Sequence, residues 1–223
     1  MSSGAGRCLE GMPCFSDITI SLDGYVAGPN ASLEEPLGRG GEELHDWLIA
    51  TKAFRDRHGG EGGEDNADSR LVEANVARIG AVVMGRRMFS GGEGPWADDP
   101  NPNGWWGDDP PFHVPVFVLT HHAREPLRLG DTTFTFVDGF DEAFASAREA
   151  AGDREVHVAG GAEAIQEALA GGMLDELQLH VAPLFLGGGT RLFAEGAQAD
   201  VELTGAVSSP AVAHLTYSVS RRA

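Results

Sequence analysis

Four segments carry residue types that could do chemistry, and each lies where an apolar run ends. The first is Val156-His157-Val158-Ala159-Gly160-Gly161, followed by Ala162-Glu163-Ala164-Ile165. An apolar run passes into two glycines and then into a helix start. Glycine lets a ligand approach the backbone, and the free amides of a first helical turn point at an anion such as phosphate. Taken alone, such a turn needs no ligand, because Gly-Gly is also a plain strand-to-helix connection. The second segment, Val82-Val83-Met84-Gly85-Arg86-Arg87-Met88-Phe89, leaves an apolar run through Gly and two arginines. The third, Val116-Phe117-Val118-Leu119-Thr120-His121-His122-Ala123-Arg124, leaves one through a hydroxyl, two imidazoles and a guanidinium. Arginine's planar fork pairs with two phosphate oxygens. Any one of Arg86, Arg87 and Arg124 is explained as a partner of a surface acid. Three phosphate-compatible exits in one chain point to a nucleotide.

The fourth segment is Ser21-Leu22-Asp23-Gly24-Tyr25-Val26-Ala27-Gly28. Asp-Gly is a turn signal. In a functional role it forms a loop over a redox centre, with Asp23 directed at substrate. Glu43 and Asp46, three residues apart, share one helical face. Acids at a helix start serve the helix dipole more often than catalysis. His121 and His122 are adjacent, so their side chains diverge and suit one metal poorly. His157 and His180 lie within strands, where packing and hydrogen bonding account for them. The chain has no CxxC, HExxH, GxSxG or Walker pattern, which argues against zinc, serine-hydrolase and P-loop chemistry.

The elements that must position these residues alternate. Strands are expected over Phe15 to Leu22, Ala81 to Met84, Val114 to Leu119, Thr133 to Val137, Val156 to Ala159 and Leu177 to Val181. Helical spacing covers Glu42 to Phe54, Ser69 to Ile79, Phe140 to Ala151 and Ala162 to Leu169. The helix from Ser69 offers Leu71, Val72, Ala74, Val76 and Ile79 as its buried side. Val201 to Val207 and Ala213 to Ser220 form an antiparallel pair joined by Ser208-Ser209-Pro210. Strands separated by helices imply a mostly parallel central sheet covered on both faces, here closed by antiparallel C-terminal strands. In such a sheet, ligands bind beyond the carboxyl ends of the strands. Two stretches, 55–69 and 91–111, are rich in turn formers, and loops of that length are functional lids or disordered.

The chain has 223 residues, 16 Lys+Arg against 34 Asp+Glu, a net charge of −18 and an isoelectric point near 4.6. Such a surface repels nucleic acid and anionic membrane. No run of 18 apolar residues marks a membrane span, and the N-terminus lacks the apolar stretch of a signal peptide. Cys8 and Cys14 are too few for a disulfide framework and are expected as free thiols, which with the other absences places the protein in the cytoplasm.

In order along the chain, SLDGYVAG from Ser21, VVMGRRMF from Val82, VFVLTHH from Val116, VAGGAEAI from Val158 and LDELQLHVAPLFLGGGTRLF from Leu174 to Phe193 resemble the dihydrofolate reductase-like superfamily. The nearest likeness is to the bacterial branch related to the reductase domain of riboflavin biosynthesis. The resemblance implies a three-layer α/β domain over residues 15–223 behind an N-terminal extension of residues 1–14. It implies NADPH as hydride donor. Gly85, Arg86, Arg87 and Met88 would lie against the adenosine phosphates, and Thr120 and His121 would flank the 2′-phosphate. Gly160, Gly161, Ala162 and Glu163 would hold the pyrophosphate, with Val26 and Ala27 near the nicotinamide amide. Glu43, or its rival Asp46, would take the place of the acid that holds the pterin in dihydrofolate reductases, and Asp23 would polarise substrate. The implied activity is reduction of a small heterocycle or a ribosylaminopyrimidine by a homodimer. That dimer would pair through Leu177, Leu179, Val181, Leu184, Phe185 and Leu186. The alternatives are a non-catalytic NADP(H)-binding module and a structural homodimer.

Overall fold

The computed structural model describes residues 13–193 and 199–220. Its strands are β1 (Cys14–Ser21), β2 (Tyr25–Ala27), β3 (Ile79–Gly85), β4 (Pro115–Leu119), β5 (Leu127–Leu129), β6 (Thr132–Val137), β7 (Glu155–Gly160), β8 (Glu176–Ala182), β9 (Thr190–Arg191), β10 (Asp200–Ser208) and β11 (Ala213–Ser220). Its α-helices are α1 (Asp46–Ile49), α2 (Lys52–Arg57), α3 (Ala67–Arg78), α4 (Arg86–Ser90), α5 (Phe140–Ala151) and α6 (Ala162–Ala170). Cys8 and most of the expected extension lie outside the described residues. Cys14 belongs to β1 rather than to an extension; it is buried and free, and burial pushes its thiol pKa up, so it is inert.

Among the described residues, nine strands form one sheet in the order β10-β11-β8-β1-β7-β3-β4-β6-β5. The six from β8 to β6 run parallel, and β10, β11 and β5 are antiparallel to their neighbours. The parallel strands therefore end along one edge, where the glycine and arginine exits of the sequence gather. A second, two-stranded sheet pairs β2 with β9 beyond that edge.

Strand alternation divides the core. Ala81 and Val83 of β3 face α5 and α6 with Val156, Val158, Leu177 and Leu179, against Phe144, Ala147, Ile165 and Ala168. Val82 and Met84 face the other way, with Phe15, Phe89, Val116, Val118, Phe134 and Phe136. The expected loop over 91–111 is pinned to this second layer. Trp96 packs edge-on against Phe89 and Phe136, Trp106 packs against Phe112, and the Trp105 indole donates to the Met88 carbonyl at 3.0 Å.

The continuous helix expected over Glu42 to Phe54 is broken. Thr51 is extended (φ −71°, ψ 148°) and its hydroxyl accepts from the Phe54 amide, starting α2 afresh after α1. A Thr side chain competes with the helical backbone for its hydrogen bonds, which apolar spacing alone does not reveal. The helix expected from Ser69 also turns its other side inward. Asp68, Ser69 and Asn75 are buried, Leu71, Val72 and Val76 are half-buried, and Ala74 is exposed. Leu177 and Leu179, expected at a dimer interface, are core residues of β8.

Candidate active site

Three strand exits meet at the carboxyl edge. Gly85 ends β3, Gly160 ends β7 beside it, and Thr120 follows β4 on the other side of β3. A methyl group at Gly85 would sit 3.5 Å from the Gly161 nitrogen, so the two glycine turns abut. Gly160 has φ +124° and its open side borders Ile18 and Met88, each 3.8 Å from a built Cβ. Gly161 caps α6 without any side-chain hydrogen bond, and a Cβ there meets nothing within 4 Å. The first amides of a nine-residue helix thus open onto space that no side chain fills. This fits a phosphate-bearing ligand, because the amide dipoles favour an anion and glycine permits close approach.

The arginines divide. Arg86 is 7% exposed and is taken up inside the protein. Its guanidinium meets Asp99 at 2.5 Å, bonds Ser90 and lies over the Trp96 ring. Burial opposes ionisation of Asp99, but Ser90, the Asn101 amide and Arg86 outweigh it and hold that carboxyl below its usual range. Arg86 was expected on a cofactor phosphate; here it fastens the Trp96 loop to α4. Arg124 lies over Trp96 and Phe136 and donates to the Pro102 carbonyl. Arg87 is exposed, and its partner Glu93 is exposed as well. The Thr120 hydroxyl accepts from the His122 amide at 3.1 Å, and His121 turns outward to Asp138 at 2.7 Å.

The expected acids are not assembled. Asp23 accepts from the Ser21 hydroxyl at 2.6 Å and from the amides of Leu186 and Gly187 at 3.2 and 2.8 Å. The Ser21 bond first, and then those two amides, lower its pKa against the opposing effect of burial, the direction opposite to the raised value expected of a proton donor. Asp23 joins the β1 exit to the loop after β8. Glu43 and Asp46 are both exposed, while Trp47 beside them is buried. Val26 and Ala27 lie in β2, beyond the end of β1.

A different polar group occupies the sheet under α1 and α3. Thr19, His180 and His214 stand in one row across β1, β8 and β11. Asp17, on the same face of β1 as Thr19, bonds His157 Nε2 at 2.6 Å and accepts from the Asn75 amide at 2.9 Å. The His180 and His214 Nδ1 atoms are 2.8 Å apart, and His214 Nε2 is 3.1 Å from Asp68. The Trp47 indole donates to Thr19 Oγ1 at 3.2 Å and packs against both imidazoles. Burial would raise the Asp17 pKa, but His157 and His180 prevail and set it well below the carboxylate range. Asp17 keeps 24% of its side chain open; Ile18, the next residue, points to the opposite face of β1, where it borders Gly160. The polar floor and the glycine turn are thus linked through β7, which carries both His157 and Gly160.

The family model of the RibD C-terminal domain matches residues 14–214. The chain belongs to this family. A putative riboflavin biosynthesis protein from Shewanella sp. PV-4 is similar over 94% of this chain and 100% of its own, at 24% identity and a TM-score of 0.62. Dihydrofolate reductase from Enterococcus faecalis, solved with NADP(H) and RAB-propyl, is similar over 93% of this chain and 96% of its own, at 14% identity and a TM-score of 0.50. The riboflavin biosynthesis reductase of Saccharomyces cerevisiae covers 98% of this chain and 94% of its own, at 12% identity and a TM-score of 0.52. Comparison with curated proteins gave no match. The fold is dihydrofolate-reductase-like, as the ordered segments implied. No helix among the described residues is long and apolar enough to cross a membrane.

Sequence reasoning kept His157 and His180 as packed, hydrogen-bonded residues, and both are. It did not single out Asp17, Asp68, Asn75, Gln178 or His214. The available signal was polar side chains at inward positions of apolar strands, Asp17 in CFSDITIS, Gln178 and His180 in ELQLHVA.

Proposed function

We propose that the protein is an NADPH-dependent reductase of a small heterocycle, of the 5-amino-6-(5-phosphoribosylamino)uracil class. The observation that carries this is a single strand, β7, that serves two unlike surfaces through Gly160 and His157. Open glycine turns at the exits of β3 and β7 suit a dinucleotide, and the polar floor of Asp17 suits a hydrogen-bonding ring. In this reading the amides of Gly161, Ala162 and Glu163 hold the pyrophosphate, and Gly85 and Met88 border it. Arg87, the exposed member of the arginine pair, meets the 2′-phosphate. Val26 and Ala27 flank the nicotinamide amide. When bound, the cofactor supplies a hydride. The protein's own residues orient the ring, exclude water and supply a proton to the reduced atom's neighbour. Family membership and the NADP(H)-bound Enterococcus faecalis relative support this reading.

We also propose a homodimer, through β10 rather than the β8 leucines. Val201, Leu203 and Val207 on this edge strand are 54%, 55% and 45% exposed. An exposed apolar edge strand calls for a partner.

The test is titration with NADPH, followed by oxidation with 5-amino-6-(5-phosphoribosylamino)uracil. Quenched protein fluorescence, a raised Tm and loss of reduced-nicotinamide absorbance are expected. Binding without oxidation by any pyrimidine or pterin would leave a dinucleotide-binding module, and no binding would remove both readings.

A further inference from the structure

Leu33 and Trp105 are large apolar side chains left 47% and 37% exposed, and both reach one point, at Gly91 after α4. A methyl group built on Gly91 would lie 2.7 Å from Trp105 Cζ3 and 3.3 Å from Leu33 Cδ2. Gly91 has φ +78°, so glycine serves there twice, as the left-handed cap of α4 and as the space the indole takes. The two side chains come from separate loops with separate roots. Residues 28–39 leave β2 and fold back on themselves. The Gly28 amide donates to the Leu37 carbonyl at 2.7 Å, and the Arg39 amide to that of Pro29 at 3.0 Å. The Ser32 hydroxyl ties the tip by accepting from the amides of Glu34 and Glu35. This loop stands beyond the exit of β1, where β2 pairs with β9. Trp105 is rooted at the exit of β3. Its indole donates to the Met88 carbonyl of α4 at 3.0 Å, and the Asn101 side chain donates to the Ser90 carbonyl at 3.3 Å. In the sheet, β7 lies between β1 and β3. A loop rooted beyond β1 whose tip meets the end of α4 therefore crosses the exit of β7, which carries Gly160 and Gly161. Met88 ties the crossing to that exit, since its Sδ lies 3.8 Å from a Cβ built on Gly160 while its carbonyl holds Trp105. Among the described residues, no hydrogen bond or ion pair joins residues 28–39 to residues 91–111. Each half is stiffened by its own bonds, and the junction is apolar contact alone.

We propose that Leu33 and Trp105 form a clasp across the exit of β7, which parts to admit a ligand to the glycine turns and shuts to retain it. This deepens the reductase reading and rests on it only for the identity of the ligand, NADPH. An apolar junction suits the task. It parts readily, because no hydrogen bond breaks and both side chains are already partly in water. Shut, it slows departure of the ligand and keeps bulk water from the reacting ring. Holding and closing are then done by different residues. The open side of Gly161, where a Cβ meets nothing within 4 Å, gives the ligand room at the first amides of α6. Leu33 and Trp105 touch no reacting atom and set how long the ligand stays.

The first measurement needs no ligand. Gly161→Cys puts a thiol in the open space behind the clasp, in the full chain carrying Cys8→Ser; Cys14 is buried and does not compete. A bulky maleimide should label Gly161→Cys about fivefold faster once Leu33→Ser is added, the effect of losing one partial apolar contact. Leu33→Met, which keeps the contact, should label at the original rate. Equal rates with and without Leu33→Ser, at equal Tm, would overturn the clasp. If Leu33→Ser does not fold, Gly91→Ala opens the same junction by displacing the indole, and unchanged labelling there is equally decisive. The second measurement uses NADPH and the chain with Gly161 intact. In Leu33→Ser, stopped-flow fluorescence should show NADPH leaving about fivefold faster, with association not slowed. An unchanged dissociation rate would overturn the retaining role. A wild-type protein that binds no NADPH refutes the reductase reading, and the labelling rates still decide the clasp.

Discussion

The glycine turn can be tested with little disturbance of the fold, at Gly161 rather than Gly160. Gly160 has φ +124°, where any side chain is strained by about 1–3 kcal/mol, so its replacement mixes stability with binding. Gly161 has φ −64° and open space where a side chain would stand. Gly161→Val should therefore leave Tm within a few degrees of wild type and fill the volume assigned to the pyrophosphate. If two amide bonds to the phosphates are lost, at about 1.5 kcal/mol each for a charged acceptor, affinity falls by about 3 kcal/mol. That is roughly a hundredfold in Kd, for NADPH and NADH alike, because both carry the pyrophosphate. Fluorescence titration read beside a thermal melt separates binding from folding. A folded Gly161→Val protein with wild-type affinity for NADPH would refute the dinucleotide seat.

Arg86→Ala should destabilise the protein by about 3–5 kcal/mol in urea unfolding, because it strands the buried Asp99 carboxylate; Arg87→Ala should weaken NADPH about tenfold, spare NADH and leave Tm unchanged. Acid should destabilise the fold in two stages. The pKa values of His45 and His214 are lowered from 6.5 by burial, so the unfolded chain binds more protons and stability declines as pH falls through about 6.5. Asp17 and Asp99 are lowered from 3.8, so their contribution is present above that value and is lost below it as the folded carboxyls protonate. Unfolding free energy measured from pH 8 to pH 3 should therefore fall monotonically, and a flat profile between pH 7 and 5 would contradict the neutral burial of the two histidines. Light scattering should give twice the 23.5 kDa chain mass, reduced to one by Val201→Glu with Leu203→Glu if β10 is the interface.

The elements were legible because their periodicities are local. Phe140–Ala151 matches the expected helix at both ends, and β7, α6, β8, β10 and β11 fall within a residue or two of the pattern. The short β2, β5 and β9 were not, since two or three residues carry no period. The glycine turns were legible because glycine announces backbone geometry. The arginines were misleading for a related reason: a guanidinium signals a charge partner, and for Arg86 that partner is Asp99, thirteen residues on in a loop that looked unanchored. Asp23 illustrates the same limit, as its carboxylate serves the amides of Leu186 and Gly187, far along the chain.

The polar floor was hidden by the order of the strands. Asp17, His180 and His214 come from β1, β8 and β11, which adjoin only because the chain returns twice to the same sheet edge. No spacing rule joins residues separated by 163 positions, as His180 is from Asp17, or places His214 opposite His180. One local sign was nonetheless present. In α3 the apolar set Leu71, Val72 and Val76 is only half-buried, while Asp68 and Asn75 are turned fully inward. A helix that buries its polar side breaks the usual agreement between pattern and packing, and such disagreement concentrates where function rather than stability has set the residue. The inverted helix and the histidine row it covers are thus two sides of one arrangement. α3 gives up apolar core contact for carboxylate and amide, and the sheet beneath it holds ionisable rings.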